Sequence, residues 1–512
     1  MAVHPNADSS NCADNGVTYD VVIRGGRVID PESGLDGVRN VGIVGDQITA
    51  VCEAELIGRR RIDARGLVVA PGFIDLHSHG QGVGECRLQA LDGVTTALEL
   101  EAGVAPVSVA YLRAAAEGRP INYGYSASWS SLRMHVIGGA PLSGGADGPL
   151  DRLGSDAWRG PASPAQIAAM LRMLERELVD GALGIGILLG YAPATDPAEF
   201  VEVARLAAAA GVPAFVHARP LIEQDPGVVI DGAEELTRVA GETSVHMHYC
   251  HVNSTSTRHL DRVQALVEAV RAQGAKVTSE VYPYGSGMSS IGSDYFHPDR
   301  LHVLGATGTP QDVIYARTGE TVASAGRLLE LRAADPSGLA FIKLFDEASS
   351  TDRIARMCAL PHTAIASDAI PFVIEDGHAY DPMQWPLPKF VKTHPRSAGT
   401  YGRTLRIAVR ETGVLSLPEA IAKCTLQPAR IVERAAPAMR RKGRIQPGCD
   451  ADVVVFDAER VTDAATYQHS VRPSTGFAHV IVNGESVVSD GRLQEHVLPG
   501  RPVRGSTVSH VI

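Results

Sequence analysis

An α/β barrel joined to a small β domain is the architecture this sequence predicts, and three observations carry the prediction. Short alternating runs broken by turn residues cluster near both ends of the chain. They are "YDVVIRGGRVID", "VRNVGIVGDQITAV" and "RRRIDARGLVVAPG" near one end, "GRIQPGCDADVVVFD" and "GFAHVIVNGESVVSDGRL" near the other. They read as β-hairpins, and neither group alone has enough strands for a stable sheet, so the two are expected to pack as one β-sandwich-like domain. Between them, apolar strand-like runs alternate with helix-like stretches rich in Ala, Leu, Glu and Arg, the rhythm of a barrel. The chain's 512 residues also exceed what one simple core accommodates.

In chain order, residues 1–17 are polar and expected to be disordered, residues 18–66 and 437–512 form the β domain, and residues 67–436 form the barrel. The barrel strands start with residues 68–76. They continue through "GVTTALELE", "PINYGYSAS", "GALGIGILLG", "VPAFVHA", "TSVHMHYCHV", "AKVTSEVYPY", "LAFIKLF" and "HTAIASDA". That is about nine candidates where a (β/α)8 barrel needs eight. The intervening "SPAQIAAMLRMLERELVDG" and "DPAEFVEVARLAAAAGV" carry apolar residues at helical spacing, and both end near Gly. Residues 285–340 are Gly/Ser-rich and less regular, and read as an insertion over the barrel mouth, a candidate lid.

Composition narrows the function. A formal net charge of -11 supplies no long-range attraction for nucleic acid or an anionic membrane, so a small-molecule partner is expected and any anionic substrate needs a local basic clamp. The seven cysteines are scattered, with no Cys-x-x-Cys, which indicates neither a disulfide framework nor a zinc knuckle. With no signal-like N-terminus and no apolar run of about 18 residues, a cytoplasmic location is the expectation. A homo-oligomer is left open.

Barrel chemistry sits at the C-terminal ends of the strands, and metal-capable residues recur there. In "PGFIDLHSHG" His77 and His79 are two apart, so a strand-like backbone turns both imidazoles to one side; two unrelated surface histidines are the alternative. His217 ends "VPAFVHARP". In "SVHMHYCHVNST", His251 at the run's end is the best ligand, whereas His246 and His248 pack or hydrogen-bond along the strand. Asp368 ends "HTAIASDAIP", where a lone Asp is otherwise a turn or capping residue. In "VTTALELEAGV", Glu99 and Glu101 share one face of a strand covered on both sides, so a carboxylate there needs a cation. Glu101 is nearer the strand's C-terminal end and is the first choice; Glu99 is second. Four imidazoles and two carboxylates at five strand ends suit zinc or a similar divalent ion, and are enough for one or two metals with a bridging carboxylate.

With these segments, the sequence resembles the amidohydrolase superfamily, and within it the N-acyl-D-amino-acid deacylase branch. The likeness runs through "DVVIRGGRVIDPESG", "APGFIDLHSHG", "DGALGIGILLGYAP", "CHVNST", "EVYPY", "SDAIP", "HPRSAGTYGR" and "GRIQPGCDADVVVFD". It implies a distorted TIM (β/α)8 barrel with a β-sandwich from both termini. His77 and His79 would hold the more exposed metal, His217 and His251 the more buried one, and Asp368 would be the strand-8 carboxylate. Arg396 and Tyr282 would hold the carboxylate of an acylated amino acid. Two departures stand out. Many superfamily members bridge their metals with a carbamylated strand-4 lysine, but the first lysine here is Lys276; the branch's bridging cysteine falls on Ala102, leaving Glu101 as the nearest bridging group. The branch's lysine two residues after the sixth-strand histidine is Asn253 here, with Arg219 or Arg133 as replacements to consider.

The implied reaction is hydrolysis of an N-acyl-D-amino acid, N-acyl-D-glutamate among the substrates to consider because an arginine in "HARP" could meet a second carboxylate. Asp368 would shuttle the proton. Ring-opening of a cyclic amide, as in hydantoinases and dihydroorotases, is the alternative, and a metal-free assembly protein is a third.

Overall fold

A computed structural model describes residues 18–145 and 148–506. The stretch expected to be disordered, 1–17, lies outside the described residues. Eight parallel strands form the barrel sheet: β1 (Phe73–Asp75), β2 (Val94–Val104), β3 (Asn122–Ser128), β4 (Ile185–Ile187), β5 (Pro213–Val216), β6 (His246–Tyr249), β7 (Val277–Val281) and β8 (Thr363–Ile365), each hydrogen-bonded to its neighbours in that order. Past the ends of β1 and β8 the ring closes through a parallel bridge between Ser78 and Ala369, where the His79 amide donates to the Ala369 carbonyl at 2.7 Å. This is the distorted TIM barrel the sequence predicts.

The helices form where caps and spacing predict. Helix Pro164–Val179 starts on a Ser163/Gln166 capping box and buries Met170, Leu174 and Leu178, spaced four apart on one face. Helix Pro197–Ala210 starts on Asp196 and stops at Gly211 in a left-handed conformation.

Two strand assignments need correction. The run "LAFIKLF" is not in the barrel: Leu339–Lys343 pairs antiparallel with Ser286–Ser290 and Val313–Tyr315, inside the insertion between β7 and β8. A short apolar run alone does not reveal which sheet it joins. Residues 68–76 serve two sheets: Val68–Pro71 pairs with Val453–Phe456, and only Phe73–Asp75 enters the barrel.

The domain boundaries shift accordingly. The terminal sheet has nine strands drawn from both chain ends and includes Val68–Pro71, beyond the expected limit at residue 66. Its long first strand, Tyr19–Asp30, pairs with Gly58–Asp63 along its first half and with Val68–Val69 along its second. Val21, Ile23, Val28, Ile62, Val69, Val453 and Ile481 share one buried core, so the two ends of the chain depend on each other. The last described residues leave this domain: the Val503 and Gly505 amides donate to the Tyr123 and Gly181 carbonyls at the foot of the barrel. The insertion's sheet runs to Lys343, slightly past the expected end at 340.

Gly186 in β4 lets β2 approach closely. A Cβ there would lie 2.3 Å from the Glu101 carbonyl and 2.5 Å from that of Leu100. These are backbone atoms with little freedom to move, so Gly186→Ala is expected to cost about 1–3 kcal/mol and to lower the thermal unfolding midpoint together with retained metal. An unchanged midpoint and metal content would contradict this packing.

Candidate metal centre and active site

All six expected ligands converge in one buried cluster, and the Glu101 carboxylate lies at its middle. Its Oε1 is 2.6 Å from His251 Nε2 and 3.1 Å from His217 Nδ1. Its Oε2 faces the other pair, 3.3 Å from His77 Nε2 and 3.7 Å from His79 Nε2. Asp368 Oδ1 completes that side at 3.4 and 3.5 Å from the same two nitrogens. One oxygen per histidine pair is the arrangement of a bridging carboxylate.

Each imidazole is fixed from behind. His77 Nδ1 lies 2.5 Å from Glu280 Oε1 and His79 Nδ1 2.6 Å from Glu99 Oε2. His217 Nε2 meets the Tyr295 hydroxyl at 3.1 Å, and His251 Nδ1 the Ser254 hydroxyl at 2.9 Å. Such outer partners fix the ring orientation, and the two carboxylates also fix the tautomer, leaving the inner nitrogen free to ligate. Sequence reasoning passed over Glu280. The available signal was an ionisable residue inside the apolar run "VTSEV", the same signal that singled out Glu101. Its Oε2 lies 3.0 Å from His248 Nε2, while His246 bonds Thr278 at 3.0 Å, so both strand histidines are held along the sheet as expected.

Glu99 and Glu101 have separate tasks because β2 bulges between them. The β2–β3 register shifts between Glu99 and Val104, and Gly103 takes φ +63, a left-handed conformation that favours Gly. Glu99 Oε1 accepts from the Ala102 and Gly103 amides, both at 3.2 Å, and so holds the bulge that carries Glu101.

The electrostatics suit a cation. Burial opposes charge on His77, yet Asp368, Glu101 and Glu280 hold its proton well above the usual histidine range. Burial opposes charge on His79 too, but Glu99 and Asp368 raise it to about 9. Burial favours a neutral Glu101, but His251, His77 and His217 hold its carboxyl well below the usual range. Burial likewise works against an ionised Asp368, and Arg396, then His77, keep it low. Two of these residues also carry backbone strain, His251 at φ 28 and Asp368 at φ 51, a conformation that costs L-residues on the order of 1–3 kcal/mol. His77 and His79 point their Nε2 atoms at one another 3.0 Å apart, which a shared cation stabilises better than one shared proton. Imidazole and carboxylate donors on this pattern fit zinc-like ions.

Arg396 and Tyr282 lie beside the cluster. Arg396 Nε donates to the Asp368 carbonyl at 2.5 Å, Nη2 lies 2.8 Å from Asp368 Oδ2, and the guanidinium covers the Tyr282 ring at 4.6 Å. Arg396 Nη1 and the Tyr282 hydroxyl are buried without a hydrogen-bond partner; Ser254 is near enough to influence that hydroxyl, but no hydrogen bond forms. The two arginines considered as substitutes for the missing lysine are committed elsewhere. Arg133 pairs with Glu199, and Arg219 pairs with Glu235 at 2.8 Å.

This geometry ranks the carboxylates. Glu101→Gln is expected to lower bound metal severalfold. Glu280→Gln, which loosens His77 from behind and leaves the bridge itself intact, should cost about 10–100-fold in metal affinity or activity. Metal analysis of purified variants checks both, and a Glu101→Gln protein with full metal content would remove Glu101 as the bridge.

A profile of the amidohydrolase family matches residues 60–488. The N-acyl-D-glutamate deacylase of Alcaligenes xylosoxydans xylosoxydans is 30% identical over 95% of this chain and 96% of its own length. The D-aminoacylase of the same organism is 27% identical, covering 92% and 94%. Dihydroorotases match over 59 to 84 residues, 11–16% of this chain. In three dimensions the chain resembles N-acyl-D-glutamate deacylase from Bordetella bronchiseptica, crystallised with zinc and a phosphonate mimic of the tetrahedral intermediate. The TM-score is 0.74 and the identity 24%, with 95% and 100% of the two chains covered; at that identity the likeness concerns the fold alone. A D-hydantoinase from Thermus sp. is further off, with a TM-score of 0.59 and 17% identity over 95% and 99% of the chains. A closed eight-stranded barrel, a β domain built from both ends and a family match spanning most of the sequence lead to one conclusion: the chain belongs to the amidohydrolase family.

Proposed function

We propose that the protein hydrolyses the amide bond of an N-acyl-D-amino acid, with one or two zinc ions held by His77, His79, His217, His251, Glu101 and Asp368. The observation that carries this reading is the pair of unpartnered buried donors beside the cluster, Arg396 Nη1 and the Tyr282 hydroxyl. Buried donors of this kind call for a ligand, and a carboxylate accepts from both. A linear N-acyl amino acid offers that carboxylate next to its scissile amide, whereas a cyclic amide need not. The relatives that align along nearly the whole chain are deacylases, which supports the same choice and the D configuration. The described cysteines are all buried and none is joined to another in a disulfide, in keeping with a reducing cytoplasm.

A divalent ion at this centre supplies Lewis acidity, polarising a carbonyl and acidifying water. The chain does the rest. Arg396 and Tyr282 hold the substrate carboxylate, which fixes where the amide carbonyl lies. Asp368 accepts the proton of the attacking water and returns it to the leaving nitrogen, avoiding release of an amide anion. Arg396 contacts Asp368 at both its carbonyl and its Oδ2, so the residue that binds substrate also orients the proton carrier.

Chelation is expected to abolish activity and added zinc to restore it; full activity in a verified metal-free sample would falsify the mechanism. Asp368→Asn still offers an oxygen ligand but cannot take the proton. It should keep metal at the His217/His251 side and lose on the order of a hundredfold or more in kcat. Near-normal turnover would take Asp368 out of the chemistry.

Arg396→Lys is expected to raise KM strongly, since an ammonium lacks the paired donors of guanidinium. An N-acyl amine without a carboxylate should cost the unmodified enzyme a similar factor, and the two losses should not add. If hydantoin is turned over faster than every N-acyl-D-amino acid and Arg396→Lys is indifferent, the cyclic-amide reading takes its place.

A further inference from the structure

Resting on the deacylase reading, we infer that the substrate carries its negative charge on the α-carboxylate alone and that its amino-acid side chain is uncharged. The argument starts from where the positive charges are. Residues 1–17, 146–147 and 507–512 contain no Lys or Arg, so every such residue of the chain is described. Among the buried cations, Arg396 is the one that combines contact with the metal-ligand cluster and an unpartnered terminal nitrogen.

Three other arginines are already neutralised. Arg133 and Arg219 are held by Glu199 and Glu235. Arg403, whose guanidinium covers Tyr284, is shared between Glu347 at 2.6 Å and Asp463 at 3.5 Å. Asn253 is closed off as well. Its side-chain amide donates to the Tyr282 carbonyl at 3.2 Å, and its side-chain oxygen accepts from the Tyr282 amide at 3.3 Å. It clamps the backbone of Tyr282 and carries no charge to pair with a second carboxylate.

What surrounds the centre instead is negative or neutral. Glu101 and Asp368 face inward, and Glu99 and Glu280 lie directly behind the histidines. On the His217 side the wall is made of neutral hydroxyls and rings, and Arg300, which lies near Tyr295, is paired with Asp225 at 2.7 Å. The Tyr191 hydroxyl meets Ser289 Oγ at 2.8 Å, the Tyr191 ring is 4.6 Å from that of His217, and the Tyr295 ring is 5.2 Å from that of Tyr191. A second substrate carboxylate buried here would lose its hydration and find no uncommitted side-chain cation to replace it, a costly combination. An amide or apolar side chain of the same size meets no such penalty.

The test uses near-isosteric substrates on the zinc-loaded full chain. kcat/KM is measured for N-acetyl-D-glutamine against N-acetyl-D-glutamate and for N-acetyl-D-asparagine against N-acetyl-D-aspartate, with N-acetyl-D-leucine and N-acetyl-D-methionine as neutral references. The amide of each pair is expected to be favoured by about tenfold or more, the scale set by burying a charged group without a partner. Equal or faster turnover of the acidic partner overturns the inference while leaving the deacylase reading standing. If none of the six compounds is hydrolysed, the deacylase reading itself falls, and the inference with it.

Discussion

A carboxylate buried between two pairs of imidazoles is the constraint on which the rest of this structure depends. Glu101 is almost fully enclosed, and an ionised side chain in that position is tolerable only if positive charge surrounds it. Four histidines from three different strand ends therefore have to arrive at one point. Divalent ions shared among them satisfy the carboxylate better than protons do. Much of the nearby architecture reads as a consequence: the bulge in β2 that aims Glu101, the glycine in β4 that admits it, and the closure of β1 on the loop after β8 that brings Asp368 alongside His77 and His79.

The outer ring of partners makes that centre rigid. Glu280 and Glu99 hold the two histidines after β1, and Tyr295 and Ser254 hold the other two. None of these groups needs to touch substrate. They fix the ring planes, and the two carboxylates also fix the tautomers, so that the inner nitrogens are aimed for ligation. The left-handed backbone at His251 and Asp368 fits the same picture, because such conformations persist only where surrounding contacts over-determine them. The insertion contributes Ser289 and Tyr295 to the wall beside His217.

In the proposed function Arg396 joins binding to chemistry. It faces Asp368 on one side and Tyr282 on the other, with one terminal nitrogen uncommitted. A protein with a net charge of -11 has no global attraction for an anion, so in the proposed function recognition of the substrate carboxylate falls to Arg396 together with Tyr282. The commitment of Arg133 and Arg219 to Glu199 and Glu235 explains why the neighbouring arginines add nothing to it.

The sequence by itself determined the alternation of strands and helices, the terminal β runs, and the identity of the groups gathered at strand ends. Apolar periodicity and ionisable residues placed where burial is expected are local properties. His77, His79, His217, His251, Glu101 and Asp368 could all be read that way, and the absence of any lysine before Lys276 already removed one bridging device. Partnership was not legible. Whether "LAFIKLF" joined the barrel or the insertion, where Val68–Pro71 belonged, and what Glu280, Arg133 and Arg219 paired with all depend on residues tens to hundreds of positions away. Only the tertiary structure decided those, because a hydrogen bond or an ion pair is set by distance in space, and periodicity along one strand carries no information about the side chain opposite.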